Sequence, residues 1–202
     1  MIVIKLTAKN AQEVIDQAVA MLTAGKTVVY PTETIYGLGC AAGNIKAVRK
    51  IYQIKGRAKN KALPFLLADM RMANKYLKFN PTAIKLAKKY WPGPLSLVLP
   101  TTALGRRLFG GADAGVRISS NKFATKLVRA LGQPLISTSA NLSSKPSASS
   151  AKQVIKYFKN RRYKPDLIID AGRLPKSKGS TFVRISGSEI EIIRLGDIVI
   201  RF

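Results

Sequence analysis

Histidine is absent from the 202 residues. Its absence removes Ser-His-Asp and Cys-His catalysis and any histidine-held metal. Cysteine occurs once, at Cys40. No intramolecular disulfide can form, and a cytosolic setting is expected. No run of about 18 apolar residues occurs, so no membrane-spanning helix is expected. The opening residues Met1-Ile2-Val3-Ile4-Lys5-Leu6 lack a cationic leader and a cleavage site, and they read as a strand rather than a signal peptide. Acidic residues are scarce: 10 Asp+Glu against 35 Lys+Arg leave a formal net charge of +25. Such a field attracts polyanions, whether RNA, nucleotides or an anionic membrane. Charge alone does not separate an RNA-binding module from an enzyme acting on nucleoside triphosphates.

What is present suffices for a full core, since 47% of the residues are hydrophobic. The length fits one domain spanning residues 1–202. The most suggestive stretch is 31–57. A short apolar run, Thr27-Val28-Val29-Tyr30, leads into Pro31-Thr32-Glu33-Thr34-Ile35-Tyr36-Gly37-Leu38-Gly39-Cys40, which reads as a hydroxyl-rich, glycine-bearing loop. A helix from Ile45 follows, then Lys55-Gly56-Arg57. Glycines that admit close backbone approach, hydroxyl donors and a cation pair suit a phosphorylated ligand. The spacing matches neither the P-loop nor the dinucleotide fingerprint.

The rest of the chain alternates between helical and strand patterns. Asn10 with Glu13 predicts a capping box at the start of a helix that ends at Gly25. In the helix capped by Asn44, positions Val48, Ile51, Tyr52 and Lys55 share one face, so Lys55 extends an apolar stripe and points into a cleft rather than to solvent. The link 58–62 is polar and mobile in character. Residues 64–68, 95–99, 116–118, 135–138 and 167–170 read as strands. Helices are expected at 70–79, after Asn80-Pro81, after Asn121 and after Ser150. Residues 101–115 read as a glycine-rich loop. Residues 181–185 and 190–194 form a hairpin around Gly187-Ser188, followed by a last strand at 198–200. A second suggestive stretch is 137–147, a Ser/Thr/Asn cluster after a strand that suits an oxyanion or a ribose. Residues 160–164 carry a cationic patch of Arg161, Arg162 and Lys164. The fold expectation is an α/β domain around one twisted, mixed sheet flanked by helices.

Five segments in order resemble the threonylcarbamoyl-AMP synthases, the YrdC-like family. They are Pro31-Thr32-Glu33-Thr34-Ile35-Tyr36-Gly37-Leu38-Gly39, Lys55-Gly56-Arg57, Trp91-Pro92-Gly93-Pro94-Leu95-Ser96, Val116-Arg117, and Ser137-Thr138-Ser139-Ala140-Asn141-Leu142-Ser143. The resemblance covers most of the chain and fits the single-domain form. It implies a YrdC-like α/β fold with a basic concave cleft. It also implies a reaction: L-threonine, bicarbonate and ATP give threonylcarbamoyl-AMP and pyrophosphate, an adenylyl transfer. A separate threonylcarbamoyl transferase complex then modifies tRNA.

By resemblance, Lys55 and Arg57 are the catalytic cations on the ATP phosphates. Ser139, Asn141, Ser147 and Arg194 complete the ATP site, while Thr32, Arg117, Ser137 and Ser180 face threonine. Mg²⁺ accompanies ATP, held by phosphates and water rather than by protein. Relatives often carry prolines where Ala58 and Ala62 stand, a histidine at Leu66 and a smaller residue at Phe182. Two other readings remain open at this point. One is a module that grips double-stranded RNA or tRNA without chemistry. The other is a related carbamoyl-transfer activity, as in the similar domain of hydrogenase-maturation proteins.

Overall fold

Runs of β-branched and aliphatic residues recur between amphipathic helices, and the runs pair into one sheet. In a computed structural model, residues 1–200 are described; the last two residues of the expected 1–202 domain lie outside the described residues. The elements in order are β1 (Ile2–Lys5), α1 (Ala11–Thr23), β2 (Val28–Tyr30), β3 (Gly37–Ala41), α2 (Ile45–Lys55), β4 (Phe65–Leu67), α3 (Met70–Tyr76), α4 (Pro81–Tyr90) and β5 (Leu95–Pro100). They continue as α5 (Ala103–Phe109), β6 (Asp113–Ile118), α6 (Lys122–Leu131), β7 (Leu135–Ser139), α7 (Ala151–Phe158), β8 (Leu167–Asp170), β9 (Thr181–Ser186) and β10 (Glu189–Arg194).

Among the described residues the ten strands lie in the order β1-β8-β2-β3-β7-β4-β6-β5-β9-β10. Pairing is mixed. β8 is parallel to both β1 and β2, β4 to β6, and β5 to β9, while β3 lies antiparallel between β2 and β7. Helices cover both faces. On one face Val14, Ala18 and Leu22 of α1, with Leu127 and Val128 of α6, pack on Val28, Tyr30, Leu66, Leu135 and Leu167. On the other, Ile51 and Ile54 of α2, Leu86 of α4, and Val154 and Phe158 of α7 join Val29, Leu38, Leu67, Leu97, Ile136 and Val183. The mixed α/β sheet expected from the sequence is the architecture found.

Several local expectations hold. Asn44, Asn80, Asn121 and Ser150 each accept a backbone N–H at the start of their helices, and β9 and β10 form the hairpin around residues 187–188. Others are corrected. Asn10 does not cap α1: its Oδ1 accepts instead from the Thr7 backbone N–H and hydroxyl, and Glu13 accepts from Gln17. Residues 101–115 are not a loop. Thr102 accepts from the Gly105 N–H and starts α5, and β6 begins already at Asp113. The expected last strand at 198–200 is absent, because that segment is fixed instead by bonds from the Asp197 N–H to the Gly179 carbonyl and from the Thr181 hydroxyl to the Ile198 carbonyl.

The largest correction concerns 37–40, which is strand rather than loop. Its glycines answer to packing inside the protein. The Tyr30 ring lies across them: a Cβ on Gly37 would sit 3.0 Å from the ring, and one on Gly39 would sit 3.1 Å from it and 2.2 Å from the Ile136 carbonyl oxygen. Close approach of β2, β3 and β7 therefore requires glycine at position 39. Gly39→Ala is expected to cost about 1–3 kcal/mol or more, read as a lower urea midpoint at unchanged m-value.

Candidate active site

Side chains alternate between the two faces of a strand. In the central strands one parity is core: Val29, Leu38, Ile136, Leu67, Val116 and Val183 are all buried among apolar neighbours. The register carries the other parity across the sheet as a row. Tyr30 lies opposite Gly37, Gly37 opposite Ser139, and Gly39 opposite Ser137. Leu66 lies opposite Arg117, and further on Ser96 is opposite Phe182 and Phe182 opposite Arg194. Where helices do not cover this row, a cavity of about 300 Å³ opens, bordered by Thr32, Arg57, Leu66, Arg117, Ser137 and Arg194 among others.

One end of the site is held by Lys55. It is the last residue of α2, whose C-cap Gly56 adopts the left-handed conformation (φ 57°) and turns the chain toward Arg57. The Lys55 side chain is 2% exposed. Its ammonium donates to the Ser139 carbonyl at 2.6 Å, to the Asn141 carbonyl and Oδ1 at 3.0 Å each, and more distantly to Ser139 Oγ. The Ser139 hydroxyl in turn donates to Asn141 Oδ1 at 2.6 Å, and Asn141 Nδ2 donates to the Lys145 carbonyl. Burial, with Arg57 adding repulsion, pulls the Lys55 ammonium down to about 8. It therefore still carries its proton at pH 7, as acceptance by so many oxygens requires. Arg57 borders the cavity and donates to the Ala62 carbonyl at 3.1 Å and to that of Lys61 at 3.4 Å, so it clasps the link 58–62.

The other end is built around Arg117. Its Nη1 donates to Glu33 Oε1 at 2.5 Å, and the Ser119 hydroxyl donates to the other Glu33 oxygen. Thr32 shapes the loop that carries Glu33. The Thr32 hydroxyl donates to the Ile35 carbonyl at 2.7 Å and accepts from the backbone N–H groups of Thr34 and Ile35. The far wall comes from the C-terminal hairpin. Arg194 donates to the Ser180 carbonyl and hydroxyl and lies 4.8 Å over the Phe182 ring, and the Ser96 hydroxyl donates to Ser180 at 3.0 Å. Burial and the nearby Arg117 both lower the proton affinity of Arg194.

Of the ten residues singled out in the sequence, Thr32, Arg57, Arg117, Ser137, Ser139, Ser147, Ser180 and Arg194 border this cavity. Lys55 and Asn141 do not; they lie buried behind Ser139, within the turn they hold together. The stripe argument thus puts Lys55 on the inner side as expected, but its ammonium meets the protein's own oxygens. The sequence reading passed over Glu33, Thr34, Ser96 and Ser119 as site residues. Glu33 carried a usable signal, being one of only ten acidic residues and set between two threonines in the segment already singled out. Ser96 and Ser119 carried none, since their places depend on strand register.

Among the described residues no group of three His, Cys, Asp or Glu side chains is placed to hold a metal ion. The cavity offers guanidinium groups and hydroxyls, chemistry that suits the phosphate end of a nucleotide rather than a bare cation. Residues 20–196 match the Sua5/YciO/YrdC family model, described as telomere recombination. The chain belongs to the Sua5/YciO/YrdC family. A Pyrococcus abyssi family member named threonylcarbamoyl-AMP synthase is 36% identical over 182 residues, covering 89% of this chain and 53% of that protein. A Bacillus subtilis protein of the same name is 40% identical over 144 residues, covering 69% of this chain and 42% of that one. The chain thus spans about half the length of these curated relatives. A crystal structure of P. abyssi Sua5 complexed with L-threonine superposes with a TM-score of 0.84 at 33% identity, over 96% of this chain and 57% of that one.

Replacing Lys55 by methionine would strip the Asn141 carbonyl of its donor, while the Ser139 carbonyl keeps the Asn141 N–H and Asn141 Oδ1 keeps the Ser139 hydroxyl. An unsatisfied buried polar group costs about 1–3 kcal/mol. Lys55→Met is therefore expected to lower stability by at least that much and to speed hydrogen exchange in residues 139–147, both measurable without any ligand.

Proposed function

We propose that this protein is a threonylcarbamoyl-AMP synthase, converting L-threonine, bicarbonate and ATP into threonylcarbamoyl-AMP and pyrophosphate. The observation that carries the reading is the row of Arg117, Ser137 and Ser139 between two guanidinium walls, Arg57 and Arg194, in one cavity. The curated relatives' name and the threonine complex of the P. abyssi protein support it. The cavity is then the basic cleft that the resemblance implies.

The chemistry needs no histidine. Threonine's amine, once it has lost a proton, attacks the carbon of CO2, which bicarbonate supplies by losing hydroxide; the C–N bond forms as one C=O electron pair moves onto oxygen, and a second N–H proton passes to solvent, which leaves a carbamate. A carbamate oxygen attacks the α-phosphorus of ATP; the new P–O bond forms as the bond to the β-phosphate's bridging oxygen breaks, and pyrophosphate leaves with that electron pair. The substrates supply nucleophile, electrophile and leaving group. The protein's part is to hold two anionic molecules in line and to place positive charge where it develops.

Arg117 offers a planar fork to the threonine carboxylate, with Thr32, Ser137 and Ser180 around it. Arg57 and the Ser139–Asn141 turn face the nucleotide, with Ser147 on the rim. Lys55 acts on the phosphates through the turn it holds and, once a phosphate competes for it, by direct contact. Mg²⁺ bound with ATP would be held by phosphates and water rather than by protein side chains, and would supply neutralisation of phosphate charge. Arg194, resting on Phe182, closes the pocket. The product's consumer is a transferase that acts on tRNA, and the net charge of +25 suits contact with that RNA. A cytoplasmic location follows from that role.

The test is pyrophosphate release by pure protein. It should require threonine, bicarbonate and ATP together, with the adenylate detectable by mass spectrometry. Arg117→Ala is expected to lower kcat/KM for threonine by about 10²–10³ while leaving the KM for ATP nearly unchanged. Release without threonine, or none at all, would overturn the reading.

A further inference from the structure

Arg117 borders the cavity and also pairs with a carboxylate of the protein. The guanidinium carries five N–H donors. One, on Nη1, is taken by Glu33 at 2.5 Å, and among the described residues no other acceptor bonds to Arg117. Both side chains are largely buried, 10% exposed for Arg117 and 15% for Glu33. Arg117 borders the cavity, and Glu33 is not among the residues that line it.

Glu33 is itself fixed. Its second oxygen accepts from the Ser119 hydroxyl, Ser119 is fully buried, and the Ser119 oxygen accepts the Asn121 N–H at 3.1 Å. Asn121 is the cap of α6. A relay of hydrogen bonds thus runs from a helix start, through Ser119 and Glu33, to the guanidinium. A long arginine side chain left alone has many rotamers; one clamped at Nη1 has few. Arg194 carries a like charge nearby, and Arg117 is one of the causes that lower its proton affinity.

We propose that Glu33 is a positioning residue for amino-acid recognition: its carboxylate, set by Ser119, holds the Arg117 guanidinium so that the remaining N–H edge presents a fixed fork to the substrate's carboxylate. This rests on the reading of Arg117 as the threonine-carboxylate partner. The pair works as a unit in which the buried acid is never released to solvent. Its contribution lies in the binding of the amino acid, not in the chemistry at the α-phosphorus.

Glu33→Gln keeps the shape and removes the charge. It should raise the KM for threonine about tenfold, the scale of one charge-assisted bond, with kcat and the KM for ATP within about twofold. Ser119→Ala, a milder change that keeps the ion pair, should give a smaller rise in the same constant, and Glu33→Asp should recover part of the loss. In an Arg117→Ala background Glu33→Gln should have no further effect on threonine, because its only route to the substrate is gone. A structural role would lower kcat and raise both KM values together, or add independently to Arg117→Ala, and either result overturns the proposal. So does a threonine KM in Glu33→Gln equal to that of the wild type. Wild-type pyrophosphate release separates the two levels. Its absence removes the reaction, and the amino-acid site with it. Its presence with an unaltered Glu33→Gln removes only the role of Glu33.

Discussion

The period of two along a β-strand is the constraint on which the site depends. Each central strand must give alternate residues to a packed core, because the helices on that face leave no room for anything else. The other parity is then obliged to face the opposite side, where two helices cover only part of the sheet. Polar residues at Ser96, Arg117, Ser137 and Ser139 are tolerated in otherwise apolar strands because their parity is the uncovered one. The cavity is thus the remainder of an incomplete layer, and its lining is set by register rather than by any single motif.

Within that frame one cation organises one wall. The Lys55 ammonium draws together two carbonyls and an amide oxygen from a turn 84 to 86 residues away in sequence. Three or four acceptors around one ammonium offset its removal from water. The same oxygens leave the Ser139–Asn141 turn with a single geometry. The opposite wall uses a pair of unlike charge, and the C-terminal hairpin uses a guanidinium stacked on a ring. Three different devices fix three cations: many neutral oxygens for buried Lys55, a carboxylate for buried Arg117, and an aromatic face with the Ser180 oxygens for the more exposed Arg194.

Much of this was legible in the sequence where the cause is local. Asn44, Asn80 and Asn121 announce helix starts because a cap needs only three following residues. The inward direction of Lys55 follows from its place on an apolar stripe. The strand at 37–41 was not legible, because Gly37 and Gly39 lower strand propensity and the reason for them, the Tyr30 ring, appears only once β2 and β3 pair. Helix α5 was hidden in the same way: Gly105 sits where a Cβ would lie 2.0 Å from the Tyr76 carbonyl oxygen, a demand of helix packing that reads in sequence as a loop. Of the site, the cations and hydroxyls could be named from their motifs, but not their partners. Which oxygens receive Lys55, and that Glu33 receives Arg117, are consequences of tertiary register.

The place of β1 at the edge of the sheet bears on how the molecule is made. Its neighbour is β8, with Ile2 beside Leu167, and β2 also lies against β8. On a ribosome the first strand has no hydrogen-bonding partner until more than 160 further residues have emerged, and the wall formed by Ser180 and Arg194 comes later still. Synthesis at about 5–20 residues per second leaves β1 waiting for roughly ten seconds or more, although β2 can pair with β3 early. Like charges repel, so the net charge of +25 opposes association between such incomplete chains.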